Sequence, residues 1–137
     1  MNALTRTHWI ARASLAFMFA WHGLVPKLLW LSPTERSMIA AHGIGPVERV
    51  AQVAGVAELI LALWLLLMPR SALPLLVAAL VLLGLLIDVA LINPQMLFDA
   101  FNPVTLNVAG MALCAVAWST MPPMNRAQTA RPASTPR

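Results

Sequence analysis

Five side chains that can carry protons or make hydrogen bonds stand inside long apolar runs of the sequence. They are His22, Lys27, Glu58, Asp88 and Asn107. An ionisable side chain at mid-membrane costs at least about 2.5 to 3.5 kcal/mol on insertion scales, so such groups are expected to face one another. Histidine and carboxylate groups can move protons, and lysine and asparagine can hydrogen-bond a ligand. These residue types indicate a polar pocket for a small ligand or a path for protons.

The composition indicates that these groups lie in a membrane. Hydrophobic residues make up 60% of the 137 residues and charged residues only 10%, with a mean hydropathy of +0.77. A soluble domain is about 25% charged, so we expect an integral membrane protein whose main partner is the lipid bilayer. The net charge of +4 comes from residues between the apolar runs. It predicts membrane orientation and contact with anionic lipids, and no nucleic-acid binding.

Several kinds of chemistry lack the residues they need. The single cysteine, Cys114, excludes an intrachain disulfide, a Cys-x-x-Cys redox centre and a cysteine-ligated cluster built by this chain alone. Nucleotide-binding glycine motifs and the His-Glu-x-x-His metalloprotease motif do not occur in the sequence. We predict no metal site, because the methionines are more typical of packing, and His8 and His42 are expected at opposite interfaces. Whether the chain is an enzyme stays open.

Four apolar runs must position the polar groups. They cover about residues 9–31, 47–68, 72–92 and 103–121, and each is long enough to cross a bilayer, which needs roughly 20 residues. The fold class predicted is therefore all-α, an integral membrane four-helix bundle in one domain, 1–121. The first run is expected to be a retained span rather than a signal peptide. The proline- and arginine-rich residues 122–137 are expected to form a disordered cytoplasmic tail.

A short helix is predicted between the first two spans. Ser32 and Glu35 have the spacing of a capping box, with Pro33 at a position that suits the first turn of a helix. A glycine at position 43 is a typical helix stop. We therefore expect a helix from Pro33 to His42 at the membrane surface.

Other local signals mark breaks in the spans. Pro26 lacks a backbone N–H and can open the first span between His22 and Lys27. Asn102 precedes a proline and is expected to cap the fourth span. Residues 93–102, which are bracketed by two Asn-Pro pairs, are expected to form an interfacial or re-entrant loop.

Orientation follows from the lysines and arginines near the ends of the spans. With the N-terminus inside, six fall on the inner side and three on the outer side, so both termini are expected in the cytoplasm. The inner set is Arg6, Arg12, Arg70, Arg126, Arg131 and Arg137, and the outer set is Lys27, Arg36 and Arg49.

The depth of each polar group follows from the helical rise of about 1.5 Å per residue, counted from the inner arginines. His22 and Glu58 come out about 15 and 18 Å from the inner edge, and Lys27, Asp88 and Asn107 about 22 to 28 Å. We expect His22 beside Glu58 and Lys27 beside Asp88 or Asn107, all facing inward in the outer half. No charge is expected in the inner half. An alternative is that Glu58 and Asp88 pair with Lys27 and His22 as buried structural ion pairs that fix helix register.

Small residues at helical spacing predict which faces of the spans approach one another. They accompany Glu58 on the second span, Asp88 on the third and Asn107 on the fourth. The set is Ala51, Ala54, Gly55, Ala62, Gly84, Gly110 and Cys114.

Three strings of the sequence resemble one known family. They are WHGLVPKLL at residues 21–29, AGVAEL at 54–59 and FNPVTLN at 101–107, with Glu35 between the first two. Together they closely resemble the small bacterial DoxX-like membrane proteins, over about residues 12–117. The resemblance implies a four-helix protein of the bacterial inner membrane, linked to redox metabolism. It also implies quinone as a ligand, and an oxidoreductase partner or a homo-oligomer.

Three functions are compatible with these residues. In the first, a redox-associated membrane component binds a quinone-like or small anionic ligand, with Lys27, Asn102 and Asn107 as hydrogen-bond partners and with His22 and Glu58 moving protons. In the second, a small transporter or proton path uses Glu58 and Asp88. In the third, the chain is an assembly or anchoring subunit without a site.

Overall fold

The computed structural model describes residues 2–122, and within them every regular element is a helix. This agrees with the predicted all-α class. The tail, 123–137, lies outside the described residues, and so do three of the arginines used for orientation. The α-helices, in chain order, are α1 (Ala3–Gly23), α2 (Pro33–His42), α3 (Val47–Leu67), α4 (Leu73–Ile92) and α5 (Pro103–Ser119). A π-helical segment, Leu24–Leu29, extends α1, and a 3-10 segment, Pro94–Phe98, precedes α5.

The helix α1 begins six residues before the predicted start of the first span. Asn2 caps it, because its side-chain oxygen accepts the Thr5 N–H at 2.8 Å. The hydropathy pattern marks where the sequence becomes apolar, whereas a helix begins at its cap. The ends of α3, α4 and α5 fall within two residues of the predicted bounds.

Two helices are long and apolar enough to cross a membrane, α3 and α4. The continuous helical unit Ala3–Leu29 meets the same criterion of length and hydropathy when it is taken together with α2. The axes of these two segments meet at an angle of 85°. The helix α5 is apolar but has only 17 residues. Large apolar side chains such as Val53, Leu67 and Leu91 are exposed, as expected for helices surrounded by lipid rather than water. The chain therefore has the character of a membrane protein.

The helix α1 is the centre of the packing. It packs against α3 on one side and α5 on the other, and α4 packs mainly against α5. The buried apolar core comes from all four long helices. Its members are Ala11, Leu15, Ala16, Phe19, Leu61, Ala62, Leu65, Leu75, Ala78, Leu82, Cys114 and Ala117.

The π-helical segment forms where Pro26 interrupts the end of the first apolar run. The Trp30 N–H bonds the Val25 carbonyl at 2.9 Å, five residues earlier, and the Ser32 N–H bonds the Pro26 carbonyl at 3.1 Å. A π turn is wider than an α turn and is often found at functional sites. The prediction that Pro26 opens the first span is confirmed, and Lys27 lies buried within the opened turn.

The short helix α2 has the predicted ends. The Ser32 hydroxyl accepts the Glu35 N–H at 3.1 Å, and Gly43 ends the helix in the left-handed conformation with φ of 62°. Only half of the capping box forms, however. The Ser32 N–H donates to the Pro26 carbonyl instead of to Glu35, so the Glu35 carboxylate is free to bond elsewhere.

Candidate functional site

Lys27 is the centre of a buried group of charges. Its ammonium nitrogen Nζ donates to Glu58 Oε1 at 2.9 Å and lies 3.2 Å from Glu35 Oε1. The side chains of Lys27, Glu58 and Glu35 are 7%, 10% and 29% exposed. The π-helical segment supplies the lysine, α3 one carboxylate and α2 the other. Three separate elements thus meet at one ammonium group.

The second carboxylate oxygen of Glu58 has no hydrogen-bond partner. Oε2 is buried and unpaired among the described residues. A buried polar group without a partner is uncommon, because its desolvation costs about 1 to 3 kcal/mol. Glu58 therefore presents a free acceptor inside the protein.

A cavity of about 210 Å³ adjoins this group. Every α-helix contributes to its lining, which combines these polar side chains with apolar ones from α1, α2, α4 and α5. The lining residues are Met18, Phe19, His22, Lys27, Thr34, Glu35, Met38, Glu58, Leu82, Leu85, Asp88, Val89, Met96, Pro103, Leu106 and Asn107.

The cavity brings together most of the residues singled out from the sequence. His22, Lys27, Glu58, Asp88 and Asn107 all line it. The pairing expected from depth was wrong, since Lys27 bonds Glu58 rather than Asp88 or Asn107. Glu58 is a partner that the alternative of structural ion pairs allows. The arithmetic of helical rise places backbone atoms only, whereas a helical side chain leans toward the N-terminus.

Asn102 does not line the cavity. Its side-chain oxygen accepts the Thr105 N–H at 2.9 Å, and its amide nitrogen donates to the Asp99 carbonyl at 3.0 Å. These bonds cap α5 and close the preceding loop. The capping prediction is therefore confirmed, and the ligand-binding role proposed for this residue has no support from its position.

His42 and Asp88 form a link that sequence reasoning missed. His42 Nε2 lies 2.7 Å from Asp88 Oδ1, and His42 Nδ1 lies 2.8 Å from the Met38 carbonyl. Both partners are acceptors, so only the protonated ring donates to both. The Met38 carbonyl and then the Asp88 carboxylate raise the pKa of His42. The link ties the C-terminal end of α2 to α4 beside the cavity.

Glu35 is the second residue that sequence reasoning did not assign to the site. The sequence indicates a role for Glu35 only in the Ser32 capping box, which marks the start of a helix. The structure assigns its carboxylate to Lys27 instead. The sequence feature that could have pointed to Glu35 is Lys27 within an apolar run, because a charge inside a helix bundle requires partners.

Two glycines let α1 and α3 approach closely enough for Lys27 to meet Glu58. A Cβ placed on Gly23 would lie 2.5 Å from the Gly55 carbonyl oxygen, and one on Gly55 would lie 2.6 Å from the Gly23 oxygen. Gly55 belongs to the predicted stripe of small residues, and Gly23 was missed. The prediction was wrong for Gly84, which is exposed and has nothing within 4 Å of its Cβ position.

A second polar cluster lies at the opposite end of the bundle, where a surface position was expected for Arg12. Arg12 is fully buried and donates to the carbonyls of Leu65 at 2.7 Å, Met68 at 3.0 Å and Ser71. The end of α3 and the following turn leave these carbonyls without helical partners. A guanidinium group can satisfy several carbonyls at once, which explains its burial.

His8 belongs to the same cluster. It is fully buried, and its ring nitrogens lie 2.8 Å from the Ala117 carbonyl and 2.9 Å from the Pro69 carbonyl. Together with Arg12, it forms a group of buried polar side chains at this end of the bundle. The cluster joins α1 to the C-terminal ends of α3 and α5.

Comparison with known families gives one result. Residues 16–115, which make up well over half of the chain, match the DoxX-like family. The match includes the cavity residues but not His8 or Arg12. Searches of curated proteins and of solved structures each found no match. The chain is a member of the DoxX-like family.

Proposed function

We propose that this protein binds a quinol-like ring compound in the cavity beside Glu58, as a redox-associated component of the bacterial inner membrane. The observation that carries the proposal is the unpaired, buried Oε2 of Glu58. A ligand that donates a hydrogen bond to this oxygen would remove the cost of leaving it unsatisfied. A quinol hydroxyl is such a donor.

The charges around the cavity favour a quinol over a small anion. Lys27 already has two carboxylate partners, Glu58 and Glu35, and Asp88 adds a third carboxylate to the lining. One ammonium group therefore faces three carboxylates. A bound anion would be repelled by them, whereas an uncharged ring with hydroxyl groups would not.

The size and lining of the cavity also suit one ring. Its volume of about 210 Å³ is below the roughly 300 to 1,000 Å³ of pockets that hold drug-sized ligands. Phe19, Leu82 and Leu106 provide apolar wall, and His22 and Asn107 provide further polar contacts. An apolar wall with a few converging polar groups is typical of small-molecule sites.

The proposal includes the arrangement in the membrane. Helices α1, α3, α4 and α5 would each cross the bilayer, with both termini in the cytoplasm and the cavity in the outer half. The 17 residues of α5 rise about 26 Å, slightly less than a hydrocarbon core of about 30 Å. Electrons from the quinol would pass to an oxidoreductase partner, because the single cysteine leaves no cysteine-pair centre in this chain.

Binding of a quinol can be measured on the purified protein in lipid nanodiscs. Tetramethylbenzoquinol and the corresponding quinone serve as probes, with titration calorimetry under anaerobic conditions as the readout. We expect the quinol to bind at least about 10-fold more tightly than the quinone, since a hydrogen bond to a charged group contributes about 1.5 to 3 kcal/mol. Glu58→Gln should abolish this preference.

Glu48→Gln is the matched control. It makes the same chemical change on the same helix, at an exposed carboxylate that pairs with Arg36 outside the cavity. We expect this variant to retain the quinol preference. Absence of saturable binding of either probe to the native protein, or an unchanged preference in Glu58→Gln, would refute the proposal.

A further inference from the structure

Glu35 connects the buried carboxylate with the surface of the protein. We propose that Glu35, Lys27 and Glu58 form a route along which protons exchange between the cavity and the aqueous phase. The inference rests on the proposed function for the identity of the ligand. The route itself follows from contacts within this chain.

The route is continuous. Glu58 Oε1 and Glu35 Oε1 lie 2.9 Å and 3.2 Å from the same Lys27 nitrogen. Exposure rises from 10% at the Glu58 side chain to 29% at Glu35. Glu35 belongs to α2, in which no residue is buried. All three side chains line the cavity, and Glu58 is the buried end of the route and Glu35 the more exposed end.

The proton transfer balances in three steps. A ligand hydroxyl gives its proton to Glu58 Oε2, and the carboxyl group then turns so that this proton faces Lys27. Lys27 gives one of its own protons to Glu35 and takes the proton from Glu58. Glu35 releases its proton to water. Each side chain returns to its starting state, no electron moves along the route, and one proton passes from ligand to solution.

Other titratable groups face the same cavity but do not join this chain of contacts. His22 comes from α1, and Asp88 from α4 is bonded to His42 of α2. The helix α5 contributes the amide of Asn107. Within residues 2–122, Lys27 Nζ makes its polar contacts with the two glutamates. The route through Glu35 is therefore the one that the hydrogen bond to Glu58 and the ion pair with Glu35 define.

The route makes a kinetic prediction that needs no ligand. In lipid nanodiscs, a rapid pH jump followed by time-resolved infrared spectroscopy reports the carboxyl band of Glu58, assigned by its loss in Glu58→Gln. We expect Glu35→Gln to slow the protonation of Glu58 at least 10-fold, measured with jumps that end where the band of each protein has reached its full amplitude. Loss of the nearby Glu35 charge also shifts the protonation equilibrium of Glu58, so the rates are compared at full amplitude.

Two comparisons make the result decisive. Glu48→Gln removes an exposed carboxylate outside the cavity and should keep the native rate. Glu35→Asp, which shortens the side chain but keeps the acid, should restore part of the rate. An unchanged rate in Glu35→Gln, or absence of any Glu58 band across the pH range in which the protein is folded, overturns the route. Quinol binding by a protein whose Glu35→Gln variant keeps the native rate would leave the proposed function intact.

Discussion

Gly23 of α1 and Gly55 of α3 touch through their backbones. Neither position has room for a side chain. A Cβ on Gly23 would lie 2.5 Å from the Gly55 carbonyl oxygen, and a Cβ on Gly55 would lie 2.6 Å from the Gly23 carbonyl oxygen. Lys27 lies one turn after Gly23, and Glu58 lies three residues after Gly55. The close crossing of these helices is what brings the ammonium group to the carboxylate.

Gly55→Ala should force α1 and α3 apart. Overpacking of this kind costs about 1 to 3 kcal/mol in the free energy of unfolding. The measurement is thermal unfolding in detergent, with Gly84→Ala as the control. Because nothing lies within 4 Å of the Gly84 Cβ position, the control should be neutral or slightly stabilising, as alanine favours helix. Equal melting temperatures in the two variants would contradict the role of the crossing.

Arg12→Met should be among the most destabilising substitutions in the chain. It removes a donor from the carbonyls of Leu65, Met68 and Ser71, of which Met68 still accepts the Ser71 N–H. Each buried unsatisfied group costs about 1 to 3 kcal/mol, so we expect a loss of at least about 2 kcal/mol. Chemical denaturation measures it, with Arg6→Met at an exposed position of the same helix as the control. A loss no larger than that of the control would show that the cluster does not hold the bundle together.

Glu58→Gln separates a ligand site from a structural ion pair. The amide keeps the size of the side chain, and Glu35 remains beside Lys27 to balance its charge. If the group is a site, the variant should stay folded and bind the quinol no more tightly than the quinone. If it is only a structural pair, stability should fall by about 3 to 5 kcal/mol. Melting temperature and quinol affinity are measured on the same preparation, and a variant that is stable and binds normally would contradict both interpretations.

The contact between His42 and Asp88 should make the attachment of α2 depend on pH. The pKa of His42 is raised in the folded protein, first by the Met38 carbonyl and then by Asp88. The contact therefore contributes fully below the ordinary histidine value of about 6.5 and is lost as pH rises through the raised value. Hydrogen exchange of α2, corrected for its intrinsic pH dependence, should accelerate over this range. Asp88→Asn should make the exchange faster at low pH and reduce its change with pH, while the contribution of the Met38 carbonyl remains. An identical pH profile in that variant would exclude the contact as the cause.

The orientation can be tested with reporter fusions. The excess of lysine and arginine on one side predicts that both Arg70 and the tail after Arg126 lie in the cytoplasm. Fusions to a reporter active only in the cytoplasm should be active at both positions, and a fusion after Gly43 should be inactive. Periplasmic activity at position 70 or after 126 would rule out four crossings with both ends inside.

Local chemistry in the sequence determined the elements and their ends. Apolar runs predicted helices because every backbone polar group in lipid must be satisfied within its own segment. Ser32 and Gly43 set the ends of α2, and Pro26 opened the end of the first run, because each acts on atoms a few residues away. The same logic placed His22, Lys27, Glu58, Asp88 and Asn107 around one cavity, since polar groups in a membrane turn away from lipid.

Only the tertiary structure decided which partner each polar group meets. Glu35 has the right position to complete a capping box, yet its carboxylate forms an ion pair with Lys27, and the Ser32 N–H donates to the Pro26 carbonyl. Arg12 looks like a marker of the membrane surface, yet it is buried because the end of α3 presents unpaired carbonyls to it. Such contacts depend on how closely and at what angle helices cross. The crossing is fixed by packing across the whole bundle, as at Gly23 and Gly55, and is not encoded in any local run of residues.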